Sequence, residues 1–221
     1  MSNASYATNL SINVYLKLKP ENQVATLITD FNHFLQKKEI LDRYHINPFL
    51  NKQPLHVTLY LTTYEEKQIP EIMKQVQVLA KGQKKIPIST RQFIANDNGY
   101  VMLTVKGTDQ LQQLSNRTIN LIANLRDKKA LIPAWAAKNP QKAEAFEQYG
   151  SPNVFAHFKP HFSIFDAEQQ DTKLYEQLQR LIIQFSKKHQ IQVNATAYAI
   201  GIGIADPQGQ IVNELARFNL G

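Results

Sequence analysis

Leu55-His56-Val57-Thr58-Leu59 and Pro160-His161-Phe162-Ser163-Ile164 are the two stretches on which the reading of this chain depends. Side chains alternate faces along a strand, so His56 and Thr58 point one way while Leu55, Val57, Leu59 and Leu61 point the other. The second stretch repeats the arrangement, with His161 and Ser163 on one face and Phe162 and Ile164 opposite. Each strand therefore has an apolar side for a core and a side that carries an imidazole and a hydroxyl.

Working outward, the surroundings of the two stretches also repeat. After Thr58 the pattern predicts a helix at 68–81, a strand at 85–95, the turn Asn96-Asp97-Asn98-Gly99 and a strand at 100–106. After Ser163 it predicts a helix at 172–189, a strand at 190–204, the turn Asp206-Pro207-Gln208-Gly209 and a strand at 210–219. The spacings from His56 to Gly99 and from His161 to Gly209 are 43 and 48 positions. A fixed order of strand, helix and hairpin that occurs twice indicates an internal duplication. Upstream, Ser11 to Lys19 alternates Ile12, Val14, Leu16 and Leu18 with Asn13, Tyr15, Lys17 and Lys19, the pattern of a half-buried strand. Gln23 to Tyr44 and Thr108 to Arg126 carry apolar residues at helical spacing, and Thr108 and Asp109 supply a start signal. The fold expected is α+β: two antiparallel sheets with helices on their outer faces and a cleft between them, in one domain of two lobes over 1–221. The stretch from Asp127 to Lys159 breaks the repeat. It holds Pro133, Trp135, Pro140, Tyr149, Pro152, Phe155 and a short helix near 141–148, and reads either as a lid or binding insert or as a crossing segment that packs Trp135 and Phe155 over the core.

Composition narrows the chemistry. With no cysteine there are no disulfides, thiol nucleophiles or thiolate metal sites. No His-Glu-x-x-His spacing or dense carboxylate cluster offers a metal site, so no metal or other cofactor is expected. The formal charge of +7 suits a polyanionic ligand, although the doublets Lys37-Lys38, Lys84-Lys85, Lys128-Lys129 and Lys187-Lys188 are scattered. No apolar run approaches the roughly 20 residues of a membrane span. The first ten residues lack the basic start and apolar stretch of a secretory signal. A soluble, cytoplasmic monomer is expected.

Two imidazoles can act as general base and general acid, and two hydroxyls can hold an oxyanion, which together suffice for phosphoester chemistry without a metal. The paired pattern resembles the two-histidine (2H) phosphoesterase superfamily, which includes 2′-5′ RNA ligase-like proteins and cyclic phosphodiesterases. The resemblance rests on a duplicated His-x-Thr/Ser in hydrophobic strands, each preceded by proline: Pro160 lies directly before His161, whereas Leu55 intervenes between Pro54 and His56. It spans Ser11 to Asn219 apart from the 127–159 stretch. It implies a bilobal fold whose lobes are related by a pseudo-twofold axis, with both motifs facing a central groove. It also implies that His56, Thr58, His161 and Ser163 are catalytic and that the groove hydrolyses a 2′,3′-cyclic or 2′-5′-linked phosphoester of RNA or a nucleotide. Ligation is the reverse reaction, and net hydrolysis is expected in water. A small cyclic nucleotide substrate and a non-catalytic RNA- or nucleotide-binding module are the alternative readings; the intact His and hydroxyl pairs weigh against the second. Candidate substrate contacts are Tyr60 and Phe165, at +4 from each histidine, which either stack on a base or pack under the helices, Tyr15 and Lys17 on the polar face of the first strand, and His157 at the groove rim. His33, His45 and His189 read as surface or capping residues.

Overall fold

The computed structural model describes residues 8–168 and 171–221. It is an α+β fold built on antiparallel strands. In chain order the elements are β1 (Asn9–Leu18), α1 (Gln23–Lys37), α2 (Ile40–Arg43), β2 (His56–Glu65), α3 (Ile69–Lys81), β3 (Ile86–Ala95) and β4 (Tyr100–Val105). There follow α4 (Asp109–Ile122), α5 (Ala134–Ala137), α6 (Pro140–Tyr149), β5 (His161–Asp166), α7 (Thr172–Ser186), β6 (Asn194–Ala205) and β7 (Ile211–Asn219). Caps fix several of the boundaries. The Asn22 carboxamide accepts from the Val24 and Ala25 amides at 3.0 Å each, and Thr108 Oγ1 accepts from the Leu111 amide at 3.2 Å. The single helix expected over 23–44 is two, because Glu39 takes a left-handed conformation (φ 58°) that no α-helix propagates.

The expected pair of sheets is one hydrogen-bonded sheet in two halves, in the order β2-β1-β6-β3-β4-β5, with β7 also paired to β6. The halves join where Ile86–Ser89 of β3 pairs with Asn194–Ala197 of β6; the rest of β3 pairs with β4. This order reveals the true repeat. β1-α1-β2-α3-β3 matches β4-α4-β5-α7-β6, so β4 opens the second copy and does not close the first. The third strand of each copy is exchanged: β6 lies beside β1, and β3 lies beside β4. The helices follow the exchange. α1 packs with α7, and α3 packs with α4.

A cluster of aromatics ties the first of these helix pairs to the sheet. Phe31 of α1, Phe93 of β3 and Phe185 of α7 meet with ring centroids 4.1 to 5.9 Å apart. Buried aromatics of this size dominate core energetics, adding about 0.5–1.5 kcal/mol per pair beyond area burial. β1 departs from the half-buried expectation, since Asn13 and Tyr15 on its polar face are as inaccessible as Val14 and Leu16. It is a central strand, and β7 brings Glu214 against that polar face. The 127–159 stretch packs down at Tyr149, Gly150 and Phe155. The Tyr60 hydroxyl donates to the Tyr149 carbonyl, and Thr62 donates to the Gly150 carbonyl at 2.6 Å. Trp135 stays about half exposed under the Lys142 ammonium, which lies 4.7 Å from its ring centroid. Among the described residues no helix is long and apolar enough to cross a membrane.

Candidate active site

β2 and β5 stand at the two ends of the strand order, and the sheet curls until their Cα atoms come within 8 Å of one another. Each lies antiparallel to the first strand of its own repeat. In one half Lys17 pairs with His56 and Tyr15 with Thr58; in the other Thr104 pairs with His161 and Met102 with Ser163. Both ladders then slip at the same point, between Val14 and Tyr15 and between Val101 and Met102, leaving Leu59 and Ile164 as the extra residues of two equivalent bulges. A bulge inserts one residue and so reverses the alternation beyond it.

That reversal corrects two expected substrate contacts. Tyr60 and Phe165 pair with Val14 and Val101, turn into the core and are almost wholly buried, so neither is available to stack on a base. Leu61 is reversed with them and lies opposite Asn13.

The imidazoles are held alike. His56 Nδ1 lies 2.9 Å from the Pro54 carbonyl and His161 Nδ1 lies 2.7 Å from the Lys159 carbonyl. A carbonyl oxygen only accepts, so each Nδ1 carries a proton, which leaves Nε2 as the nitrogen able to exchange one. His56 is 5% exposed and His161 is half-buried. Burial pushes the pKa of both below the usual imidazole value, and for His56 the nearby His161 adds to the effect. His56 and Ser163, one from each repeat, line a single cleft together with Phe49, Leu50, Pro54 and Gln210.

Both hydroxyls accept hydrogen bonds from the neighbouring strand. Asn13 Nδ2 donates to Thr58 Oγ1 at 2.9 Å, and the Tyr100 hydroxyl donates to Ser163 Oγ. The structure draws Tyr15 and Lys17 into support of the site. The Tyr15 ring lies edge-on to His56, with centroids 5.4 Å apart, and its hydroxyl donates to Glu214 Oε2 at 2.7 Å. Burial, followed by the hydrogen bond to Glu214, raises the pKa of the phenol. Lys17 is ion-paired with the same carboxylate. Burial alone would raise the Glu214 carboxyl, but the bonds from Lys17 and Tyr15 outweigh it and hold its pKa below the usual value. The Lys17 charge is thereby committed within the protein. His157 lies in a 3-10 turn (Phe155–His157) against α4. His189 Nδ1 lies 3.1 Å from the Phe185 carbonyl at the end of α7, in keeping with a capping role. Among the described residues no three His, Asp or Glu side chains gather closely enough to hold a metal ion.

Sequence reasoning misses Asn13, Tyr100, Phe49 and Glu214. Asn13 carries a faint signal, as a small amide amid a strongly apolar strand. The other three give none, because distant contacts bring them to the site: Phe49 from the turn before β2, Tyr100 through the β4–β5 ladder and Glu214 from β7.

The family model described as the 2′-5′ RNA ligase superfamily matches residues 20–200. No curated protein sequence matches the chain. Solved structures are similar in fold at low identity. TT0787 of Thermus thermophilus is 14% identical, with a TM-score of 0.58, over 96% of this chain and 98% of that one. Apo LigT of E. coli is 11% identical, with a TM-score of 0.55, over 97% and 99%. Usb1 of Kluyveromyces marxianus is 13% identical, with a TM-score of 0.54, over 95% and 98%. LigT has also been solved with 3′-AMP, and Usb1 with uridine monophosphate. With the family model matching most of its length and the paired His-x-Thr/Ser strands in equivalent places, the chain belongs to the 2′-5′ RNA ligase superfamily, among the two-histidine phosphoesterases.

Proposed function

We propose that this protein is a metal-independent phosphodiesterase that hydrolyses a 2′,3′-cyclic or 2′-5′-linked phosphoester of RNA or a nucleotide. The observation that carries the reading is the matched pair of imidazoles, each fixed by a carbonyl two residues upstream, on strands that meet at one cleft. One neutral imidazole takes a proton on Nε2 from the attacking water as the oxygen–phosphorus bond forms. The other, protonated, delivers its Nε2 proton to the ribose oxygen as the phosphorus–oxygen bond breaks. Thr58 and Ser163 donate to the non-bridging oxygens. Both imidazoles lean neutral in the free protein. An arriving phosphate anion favours protonation of the nearer one, so substrate binding itself prepares the acid. That LigT has been solved with 3′-AMP, and Usb1 with uridine monophosphate, supports a nucleotide ligand for the groove.

The test is a substrate panel with chelator present: nucleoside 2′,3′-cyclic phosphates, 2′-5′ and 3′-5′ dinucleotides, and RNA ending in a cyclic phosphate. His56→Ala and His161→Ala are each expected to lower turnover on the order of 10²-fold or more. The double variant should fall far short of the product of the two losses. Near-wild-type turnover in both single variants, with circular dichroism showing intact protein, would overturn the mechanism and favour a binding module.

A further inference from the structure

Asn13 and Tyr100 occupy the same place in the two repeats. Each lies on the first strand of its repeat, two residues before the residue that pairs with the motif hydroxyl, and each is separated from it by the same ladder slip. One is an amide and the other a phenol, yet both end in the same contact, a donor hydrogen placed on the hydroxyl oxygen of Thr58 or Ser163. A hydroxyl has one hydrogen and two acceptor lone pairs. Once a neighbour fills a lone pair, its own hydrogen remains for something else.

On the Asn13 side the direction of that bond is fixed by a third group. Asn13 Nδ2 also donates to the Gly209 carbonyl at 3.0 Å. Gly209 O can only accept, so a flipped carboxamide would set oxygen against oxygen, and Thr58 cannot turn its own hydrogen onto Asn13. The arrangement has a cost. Asn13 is fully buried, and its Oδ1 has no partner among the described residues. A buried polar atom left unmet costs stability, and its retention calls for an explanation. On the other side the Tyr100 phenol, buried on β4, donates to Ser163 Oγ across the β4–β5 ladder; burial is the main reason its pKa is pushed up to about 12.

We infer that Asn13 and Tyr100 are a symmetry-related pair of positioning residues that hold the Thr58 and Ser163 oxygens so that each hydroxyl hydrogen is aimed at a phosphate oxygen in the cleft. The inference rests on the phosphoester reading of the site and adds what sets the polarity of its two donors. The competing account is purely structural: Asn13 pins the β6–β7 turn to β1, and Tyr100 pins β4 to β5.

Double-variant cycles separate the two accounts. The variants are Asn13→Ala, Tyr100→Phe, Thr58→Val, Ser163→Ala, each positioning residue combined with its own hydroxyl, and each combined with the opposite one. Three readouts are taken: kcat on a nucleoside 2′,3′-cyclic phosphate, Kd for 3′-AMP by calorimetry, and Tm. Asn13→Ala and Tyr100→Phe are each expected to lower kcat on the order of 5- to 10-fold, the scale of one hydrogen bond. Adding Asn13→Ala to Thr58→Val, or Tyr100→Phe to Ser163→Ala, should cost almost nothing more, whereas the crossed combinations should multiply. Multiplicative losses within each pair, or losses that simply track Tm, would overturn the inference. If the wild type turns over no substrate of the panel, the hydrolase reading fails, and the same cycles read on Kd for 3′-AMP still decide the positioning roles. A protein that neither turns over substrate nor binds 3′-AMP overturns both.

Discussion

Gly201→Ala tests the support beneath His56. Gly201 lies on β6 directly opposite Tyr15 of β1, and the tyrosine ring lies across it. A methyl added at Gly201 would stand 2.4 Å from Tyr15 Cζ, 2.6 Å from Cε2 and 2.7 Å from the hydroxyl. Non-bonded carbons rest about 3.5–4.0 Å apart, so the ring has to withdraw by about 1 Å. It has nowhere to go. Tyr15 is fully buried, its hydroxyl is bonded to Glu214 and its edge rests on His56. The strand cannot yield either, since β1 and β7 are both hydrogen-bonded to it at this residue. Overpacking costs about 1–3 kcal/mol, and this site belongs at the upper end, about 3 kcal/mol. For a chain of 221 residues each kcal/mol moves Tm by about 2–4 °C, giving a drop of about 6–12 °C by circular dichroism. Since His56 leans on the displaced ring, kcat on a cyclic phosphate should fall about 10-fold or more. Adding Tyr15→Leu to Gly201→Ala should restore part of the lost Tm. A variant that melts within about 2 °C of the wild type would show that the ring has room, and the packing argument for His56 would fall with it.

Acid should weaken the fold. Both imidazoles titrate below their unfolded value of about 6.5, so their contribution to stability is complete above that pH and is lost as pH falls through their folded pKa values. Urea titrations from pH 7.5 to 5 should show a decline that His56→Ala and His161→Ala flatten, and identical slopes in the variants would refute the assignment. The same depression should place the bell-shaped profile of kcat/KM for the free protein on the acid side of one built from two ordinary imidazoles, with limbs that belong to the pair. An optimum well above pH 7.5 would contradict it. Turnover should survive excess chelator; a loss that a divalent ion restores would show that a metal takes part.

The strand alternation around His56 and His161 makes the duplicated strands, helices and hairpins legible in the sequence, because a buried face imposes a period of two wherever it occurs. It does not disclose the phase of the repeat. Motif–helix–hairpin and strand–helix–motif–helix–strand describe the same chain, and only the pairing of β6 with β1 and of β3 with β4 decides between them. The bulges at Leu59 and Ile164 are equally hidden, since a bulge is a relation between two strands and leaves no mark on one. That is why simple alternation puts Tyr60 and Phe165 in the groove although they lie in the core. Asn13 is visible as a residue, but its partners are 45 and 196 positions away, and no local pattern reports them.

The exchange of third strands also dictates the order in which the chain can acquire its structure. Ile12 of β1 faces Ile204 of β6, 192 residues further along. While the chain emerges from the ribosome, β1 can zip to β2 early but carries a bare edge on its other side until β6 is made. β3 waits in the same way for Asn194–Ala197. Neither copy of the duplication can therefore mature ahead of the other, however complete its own sequence. Contacts of such span make for slow folding, and the open edges invite pairing with other chains in the interval. A product truncated before β6 would leave both halves unfinished at once, so the two repeats close together or not at all.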